Sequence, residues 1–320
     1  MVFFGKIVAA IFAWGAYAVL RLVGWKRKTV LANAKHVAGA FSTASNATPD
    51  ASVATRNASN AAPIDYDELL INLTRHVGEL LFCFGIFKKL PHDFFAYPCC
   101  VDGWTFDLAE GSLPVLEKMR SGGIFLTAHY GNYEAMGPWL CRLGIPLVAS
   151  YIPVKPKWLN NILERKIRSV DGRSYSVDAR TPRDFLRILN DGKLFCLLAD
   201  QDSRIPSALP GTFLGKPVNV NPLPDFLLEH RPQTPVFICW MEEVCGVRVL
   251  HAIEVEHAQV SGVAHLVSPA PSNGASPADS SIVNTQFNKW LEQRILENPN
   301  LWYSFTHRRF YSRSPEIYGK

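Results

Sequence analysis

The sequence predicts an α/β fold in which a mixed, mostly parallel sheet is flanked by helices and preceded by an N-terminal membrane helix. Short apolar runs, each bounded by Gly, Pro or polar residues, alternate along the chain with longer amphipathic segments. This alternation is typical of a sheet that is covered by helices on both faces. The chain has 320 residues, of which 48% are hydrophobic, so it can bury a sizeable core.

Residues 1–25 are predicted to form a membrane anchor helix. The run Ile7–Leu20 carries no charge, Lys6 and Arg21 flank it, and three basic residues follow at 26–28. A helix needs about 20 apolar residues to span a bilayer, and this one reaches that length only if its flanking cations extend to the interfaces. A spanning helix and a helix embedded in the interface both fit this pattern. A buried first helix is the alternative.

The rest of the chain divides by composition into two parts. Residues 26–64 are a basic flank followed by a segment rich in Ala, Ser, Thr and Asn, which predicts a flexible linker. Residues 65–320 carry the alternating pattern and are predicted to form the main domain. The net charge of +5 is too small to indicate nucleic acid as a partner. The seven cysteines include no Cys-x-x-Cys pair, which indicates a reducing compartment.

The elements of the main domain are predicted from the spacing of its apolar residues. Three- and four-residue spacing indicates helices, and short continuous apolar runs indicate buried strands. Helices are predicted at residues 65–90, 113–120, 132–143, 157–170, 181–189, 226–229 and 282–296. Strands are predicted at residues 124–128, 146–152, 194–199, 236–241 and 247–255. Long loops are expected at 203–224 and 261–280, where Pro, Gly or Ser is frequent.

A His and a Glu follow the apolar run 124–128. His129 comes directly after the predicted strand, and Glu134 follows across the turn Gly131–Asn132. Active sites in open α/β sheets lie at the carboxyl ends of strands, and an imidazole oriented by a carboxylate can take a proton from a hydroxyl group. We therefore expect His129 to be a general base oriented by Glu134. The alternative is a solvent-exposed His–Glu contact without function.

Two further sets of charged residues are candidates for binding. Asp200, Gln201 and Asp202 close the strand 194–199. Residues i and i+2 of a strand face the same way, so the two carboxylates are expected to converge. They would bind substrate or an Arg, coordinate a metal ion, or form a solvated turn. Arg168 lies in a basic helix and would bind a phosphate or carboxylate, unless it only interacts with the helix dipole.

Three well-known catalytic or nucleotide-binding patterns are absent from the sequence. It contains no Gly-x-Ser-x-Gly elbow, no Gly-x-Gly-x-x-Gly fingerprint and no phosphate loop that ends in Gly-Lys-Ser/Thr. Serine hydrolases of the elbow type, dinucleotide enzymes and P-loop enzymes therefore receive no support.

Taken together, these segments resemble the bacterial lipid A biosynthesis acyltransferases, a branch of the lysophospholipid acyltransferase superfamily. Four pieces match in order: the N-terminal hydrophobic helix, the His-x-x-x-x-Glu segment Gly122–Glu134, the segment Leu197–Asp202 with Gly211–Gly215 after it, and the C-terminal segment Pro299–Phe310. Arg168 matches a family Arg between the second and third pieces. The resemblance spans about residues 65–312 and the anchor.

The resemblance implies a glycerolipid-acyltransferase-like fold and a membrane-associated acyltransferase in which residues 65–320 are the catalytic domain. Such an enzyme moves a fatty acyl chain from acyl carrier protein or coenzyme A to a hydroxyl of a glycolipid, here most simply a lipid A precursor. His129 and Glu134 would be catalytic. Substrate-binding residues would be Gly131, Asn132, Arg168, Asp200, Gln201, Asp202, His307 and Arg309.

The same resemblance implies the surroundings of the enzyme. The acyl thioester is a substrate, and no metal or other cofactor is required. The backbone amides at Gly131–Asn132, together with Arg168, would stabilise negative charge or bind phosphate. The expected location is the bacterial inner membrane, with the catalytic domain on the cytoplasmic side. Clustered basic residues fit both an anionic glycolipid and an acidic carrier protein.

Three alternatives stay open at this point. The acceptor would be another lipid, such as a mannosylated phosphoinositide or a lysophospholipid. A metal-dependent hydrolase would use His129, Asp200 and Asp202 as ligands. A membrane scaffold would use none of these residues in catalysis.

Overall fold

The computed structural model describes residues 2–44, 64–150, 155–178, 180–257 and 281–320. Its α-helices are α1 Val2–Leu22, α2 Arg27–Ala44, α3 Tyr66–Phe82, α4 Ser112–Met119, α5 Tyr133–Arg142, α6 Lys157–Ile162, α7 Pro182–Asn190, α8 Leu223–His230 and α9 Ile282–Glu297. Its strands are β1 Cys99–Val101, β2 Trp104–Leu108, β3 Gly123–Thr127, β4 Leu147–Ser150, β5 Ser169–Val170, β6 Arg173–Ser174, β7 Ser176–Val177, β8 Leu194–Leu198, β9 Leu209–Phe213, β10 Lys216–Val220, β11 Val236–Val244 and β12 Val247–Val255.

Eight strands form one mixed sheet in the order β1-β2-β12-β11-β3-β8-β4-β7. β3 lies inside it and pairs in parallel with both β8 and β11. β4 also runs parallel to β7 and β8, and β2 runs parallel to β12, whereas β1–β2 and β11–β12 are antiparallel hairpins. The predicted α/β class, with a mostly parallel mixed sheet flanked by helices, is confirmed.

The sheet separates two hydrophobic cores, because successive side chains of a strand point to opposite faces. In β3, Ile124 and Leu126 pack in one core and Phe125 packs in the other. Phe287 of α9 belongs to the first core, and Trp139 of α5 belongs to the second. All five residues of β3 are buried, which explains its continuous apolar sequence.

The predicted linker 26–64 is wrong for its first half, which forms α2. Val30, Asn33 and Val37 are buried on one face of this helix, at spacings of three and four residues. Asn33 Nδ2 donates to two carbonyl oxygens of the C-terminal segment, each at 2.8 Å. These contacts stabilise a helix that composition alone does not indicate. Residues 45–63 lie outside the described residues.

Other boundaries differ from the predictions. The predicted loop 203–224 contains the hairpin β9–β10, and the hairpin β1–β2 was not predicted. The predicted helix 157–170 is α6 followed by a π-helical segment, Leu163–Ile167. The predicted loop 261–280 lies outside the described residues.

Within the described residues, one helix is long and apolar enough to cross a membrane, namely Phe4–Leu22 with a mean hydropathy of 1.4. It is α1, and only 6% of its apolar window is buried, so it is not a core helix. It packs in antiparallel fashion along α3. The ion pair between Arg21 and Asp67, 2.8 Å long, closes one end of this helix pair.

Candidate functional site

The register of two parallel strands brings His129 and Asp200 together. Thr127 of β3 is paired with Leu198 of β8. His129 and Asp200 each follow two residues later, at the carboxyl edge of the sheet. The ring Nδ1 of His129 lies 2.8 Å from Asp200 Oδ1, and the backbone amide of His129 donates to Oδ2 at 3.1 Å. The strand ends therefore assemble an imidazole–carboxylate pair.

The prediction that Glu134 orients the His129 ring is wrong, because Asp200 occupies the Nδ1 side of the ring. Glu134 lies in the first turn of α5 and faces Arg168 instead, with 3.4 Å between Oε1 and the guanidinium nitrogen. Both residues line the same cavity as His129. The position of Glu134 on α5 therefore places its carboxylate in the lining of this cavity.

The Asp200 carboxylate is completely buried and fully hydrogen-bonded. Besides the two bonds from His129, it accepts one from Trp302 Nε1 at 2.9 Å and one from Ser304 Oγ at 2.7 Å. Burial favours the neutral acid, but the adjacent His129 and these donors outweigh it and hold the pKa of Asp200 well below its usual range. Asp200 is therefore an ionised acceptor.

The charge of Asp200 sets the properties of the His129 ring. Burial by itself would lower the pKa of His129, but the carboxylate outweighs burial and the pKa lies above its ordinary value. When the ring is neutral, Asp200 holds the tautomer that is protonated at Nδ1. Nε2 is then the nitrogen that can take a proton from a bound molecule.

No local pattern in the sequence predicts Trp302 and Ser304 as partners of Asp200. They come from the C-terminal segment, which also bonds the backbone around the base: Tyr303 N donates to His129 O at 2.8 Å. The only signal was the match of Pro299–Phe310 to the family pattern, and that match did not identify the contacts.

His129 lies at the edge of a cavity of about 750 Å³. Its size falls in the range of roughly 300–1,000 Å³ that is typical of ligand pockets. The apolar part of its lining comes from the sheet and α5: Phe125, Met136, Leu147, Ala149, Cys196 and Leu198. The polar part of the lining consists of Glu134, Ser150, Arg168, Ser176, Asp178, Arg180 and Gln201. The cavity therefore fits a molecule with both an apolar and a polar part. Its two Arg side chains each pair with an acid of the same lining, Arg168 with Glu134 and Arg180 with Asp178.

Gly131 and Asn132 do not face this cavity, contrary to the prediction that they bind substrate. They line a second cavity of about 210 Å³. The Gly131 amide already donates to Leu301 O at 3.0 Å. Asn132 Nδ2 donates to Glu79 at 3.2 Å, and its side chain makes no capping bond to α5. The Gly131 amide is therefore already occupied and does not contribute to the expected oxyanion site.

An ion pair supports the turn that carries His129. Glu79 of α3 bonds Asn132 through one oxygen and Arg248 of β12 through the other, at 3.0 Å. Gly131 is required in this turn, because a Cβ there would lie 2.2 Å from the Met241 carbonyl oxygen and its φ is +58°. Asn132 is thus a positioning residue of the turn that carries His129.

A buried histidine packs beside the base. His76 of α3 lies between the rings of Tyr133 and Tyr303, with centroid distances of 5.1 and 5.5 Å. Tyr133 contacts the His129 ring in turn, at 4.9 Å. Burial lowers the pKa of His76 to about 4, so this ring is neutral at physiological pH. It packs as an aromatic ring and adds no charge next to the base.

The remaining predicted residues lie in different places. Gln201 lines the main cavity. Asp202 accepts a hydrogen bond from Ser312 Oγ at 2.7 Å and pairs with Arg204. Its carboxylate does not converge with that of Asp200, because β8 ends at Leu198 and side chains beyond it no longer alternate as in a strand. Within the described ranges, no group of three His, Cys, Asp or Glu side chains is arranged to hold a metal ion.

Arg309 is buried, whereas His307 is exposed and can contact a substrate. Arg309 is completely buried, and its guanidinium donates to the backbone oxygens of Gln201 and Asn219, so it supports the loop after β8 and does not meet substrate. His307 is exposed, and its ring centroid lies 6.4 Å from that of His129. It stays a candidate for substrate binding.

Comparison with known proteins adds no family to this description. No family model matches the chain, and no curated protein is significantly similar to it.

Proposed function

We propose that the protein is a membrane-associated O-acyltransferase that moves a fatty acyl chain from a thioester to a hydroxyl of a lipid. The observation that carries the proposal is the His129–Asp200 pair, whose His129 lines a largely apolar cavity. Within the described residues, no Ser or Cys side chain hydrogen-bonds the His129 ring. The hydroxyl that His129 activates therefore belongs to the substrate.

The proposed reaction needs one base and no covalent enzyme intermediate. Nε2 of His129 takes the proton of the acceptor hydroxyl as its oxygen attacks the thioester carbonyl carbon. The tetrahedral intermediate then collapses, the carbon–sulfur bond breaks, and the imidazolium returns its proton to the leaving thiolate. Asp200 stabilises the imidazolium between these two steps. The products are an ester and a free thiol.

The cavity lining supports a lipid substrate. The apolar side chains from β3, β4 and β8 would surround an acyl chain. Arg168 and Arg180 line the same cavity as His129. Arg180 already makes two hydrogen bonds to the Asp178 carboxylate, at 2.6 and 2.8 Å, so we propose that Arg168 binds the phosphate through two parallel hydrogen bonds. We propose a phosphorylated glycolipid, first a lipid A precursor, as acceptor. The runner-up is another lipid acceptor, such as a mannosylated phosphoinositide or a lysophospholipid.

The donor and the location follow from the same proposal. The donor is acyl carrier protein or coenzyme A carrying the chain, and the fold is of the glycerolipid-acyltransferase type. The enzyme acts at the cytoplasmic face of the bacterial inner membrane. The apolar helix α1 supports membrane association.

The test combines lipids from cells with a purified reaction. Mass spectrometry compares the lipids of a host with and without the gene, and a single lipid that lacks one acyl chain would identify acceptor and chain length. The full-length protein is then assayed on that acceptor with an acyl thioester. We expect His129→Ala to lose at least about 10²-fold in rate. His230→Ala, which replaces an exposed histidine of α8, serves as the control. Unchanged lipids and no transfer by the unmodified protein would contradict the proposal.

A further inference from the structure

The outer face of α1 is an uninterrupted apolar stripe. Its exposed members recur at three- and four-residue spacing, which places them on one side of the helix: Phe4, Ile7, Ile11, Trp14, Ala18 and Leu22. Four of them, Phe4, Ile11, Trp14 and Leu22, are between 67% and 88% exposed. No charged residue lies among them. Such a stripe is far more apolar than a protein surface that faces water.

The inner face of α1 packs closely on α3. A Cβ on Gly78 would lie 2.7 Å from the Ala9 carbonyl oxygen, and a Cβ on Gly5 would lie 3.0 Å from that of Phe82. The glycines therefore let the two backbones approach each other. The rings of Phe12 and Phe82 meet in the same region, tilted by 59° with 5.6 Å between their centroids.

The pairing continues to the far end of α1. Arg21 forms its ion pair with Asp67 at 2.8 Å, and the Tyr66 hydroxyl donates to the Trp25 carbonyl oxygen at 2.7 Å. The start of α1 thus lies against the end of α3, and the end of α1 lies against its start. The two helices run in antiparallel fashion over the whole length of α1.

This pairing is incompatible with a spanning α1. A bilayer around α1 would also surround α3, which carries Asp67, Arg75 and Glu79 and whose Leu69 and Leu70 are buried. Charged side chains in hydrocarbon are strongly unfavourable. If the helices separated instead, the backbone-to-backbone contact would be lost along its full length.

The charges beside the stripe match a lipid surface. Lys6 and Arg21 lie near the two ends of α1, and exposed basic residues follow at 26–28. Two side chains of α3, Leu81 and Phe82, are also exposed next to the start of α1. An apolar face with a basic border is typical of helices that lie in the interface of an anionic membrane.

We propose that α1 lies in the plane of an anionic lipid surface and does not cross the bilayer. The stripe would enter the boundary between head groups and acyl chains by roughly 5–10 Å, with α3 above it on the aqueous side. Glu79 of α3 bonds Asn132, so the turn that carries His129 is one helix away from the lipid surface. This docking mode does not depend on the reaction proposed above.

The first experiment determines on which side of the membrane the N-terminus lies. A protease-cleavable epitope is placed before Met1 in one full-length variant and after Lys320 in another, and sealed inverted vesicles are treated with protease. We expect both tags to be cut from the outside of the vesicles without detergent. Cleavage of the C-terminal tag alone would show that α1 spans the bilayer and would overturn the proposal.

The second experiment measures binding to defined vesicles. Full-length Ile11→Lys is compared with the unmodified chain on vesicles of equal parts phosphatidylglycerol and phosphatidylcholine. We expect it to bind roughly tenfold more weakly or worse. Trp14→Ala is a second variant that adds no charge, and Ile282→Lys, at an exposed position of α9, is the matched control. Equal binding by Ile11→Lys and the unmodified chain would overturn the proposal.

A second copy of the chain is the other possible occupant of the stripe. In that case the purified protein would have twice the 35.7 kDa mass of one chain and would become monomeric in Ile11→Lys. Such a dimer without vesicle binding would also overturn the proposal.

We expect binding to phosphatidylcholine vesicles alone to be weaker than binding to the mixed vesicles, because the basic border then has no anionic partner.

Discussion

Asp200 accepts two hydrogen bonds from His129, one from the ring at 2.8 Å and one from the backbone amide at 3.1 Å. The first bond orients the imidazole, and the second holds the end of β3 against the end of β8. A turn of the ring away from Asp200 would leave part of a buried charge unpaired, which is costly. The ring of His129 is therefore held in one orientation.

Replacement of Asp200 by Asn should strongly reduce activity while the protein still folds. An amide keeps the shape of the side chain but cannot stabilise the imidazolium. Acid–base catalysis contributes roughly 10²–10⁴-fold, and the loss in kcat should be of that order. The measurement is kcat for transfer between one donor and one acceptor.

Glu134→Gln is the matched comparison for this loss, because it makes the same change in a carboxylate of the same cavity. Since Glu134 faces Arg168 and not the ring, we expect Glu134→Gln to keep more activity than Asp200→Asn. A larger loss for Glu134→Gln would show that the substrate complex uses Glu134 as the orienting group.

The activity should fall as the pH is lowered through the pKa of His129. The base acts when neutral, and Asp200 raises its pKa above the ordinary value of about 6.5. In Asp200→Asn the burial remains and the carboxylate is gone, so the pKa of His129 should drop. The acid limb of kcat/KM against pH should therefore move to lower pH in this variant. An unmoved limb would mean that another group controls it.

Arg168→Lys should lose activity although the positive charge is kept. A guanidinium binds a phosphate through two parallel hydrogen bonds, and an ammonium group cannot reproduce this geometry. One charge-assisted hydrogen bond contributes roughly 1.5–3 kcal/mol, which corresponds to about one to two orders of magnitude in kcat/KM. Lys166→Ala, at an exposed position nearby, should have little effect. Equal kcat/KM values for both variants would remove Arg168 from the phosphate site.

Ala149→Leu should shift the preferred acyl chain towards shorter lengths. Ala149 of β4 lines the apolar part of the cavity, and three added carbon atoms would fill space that the chain is proposed to occupy. Competition between thioesters of different lengths, read by mass spectrometry, gives the preference. Ala96→Leu makes the same change at an exposed position and should leave the preference unchanged. A preference that stays the same in Ala149→Leu would place the acyl chain elsewhere.

The sequence predicts that His129 lies at the end of a strand but does not predict its partner. The apolar run before His129 and the one before Asp200 are both recognisable as strands. Their pairing in parallel, with Thr127 opposite Leu198, depends on the order of strands in the sheet, and periodicity does not contain that order. Glu134 is nearer in sequence, so local reasoning selects it. The partner of the base is thus a consequence of topology.

The packing of the N-terminal helices also depends on contacts that a local sequence pattern does not contain. Apolar composition identifies α1, but the contact of Gly78 with Ala9 joins residues that are far apart in the chain. α2 contains few large apolar residues, and Asn33 on its buried face bonds the distant C-terminal segment. Such long-range contacts override local propensity, which is only a weak guide to structure.

Gly78→Ala should loosen the contact between α1 and α3. A Cβ at this position would lie 2.7 Å from the Ala9 carbonyl oxygen, so the helices must move apart. Overpacking of this kind costs about 1–3 kcal/mol, which is more than the gain in helix propensity from Gly to Ala. We expect a lower melting temperature in detergent than that of the unmodified chain.

Gly85→Ala is the control for this change, because a Cβ there meets no atom within 4 Å. It should melt at the temperature of the unmodified chain or slightly higher, since Ala restricts the unfolded chain more than Gly does.

Because Glu79 follows Gly78 and bonds Asn132, a displaced α3 should also disturb the turn that carries His129. We therefore expect Gly78→Ala to lower kcat for acyl transfer together with stability. A Gly78→Ala protein that melts like the Gly85→Ala control would show that α1 is not packed on α3 in solution, and the in-plane docking of α1 would lose its structural basis.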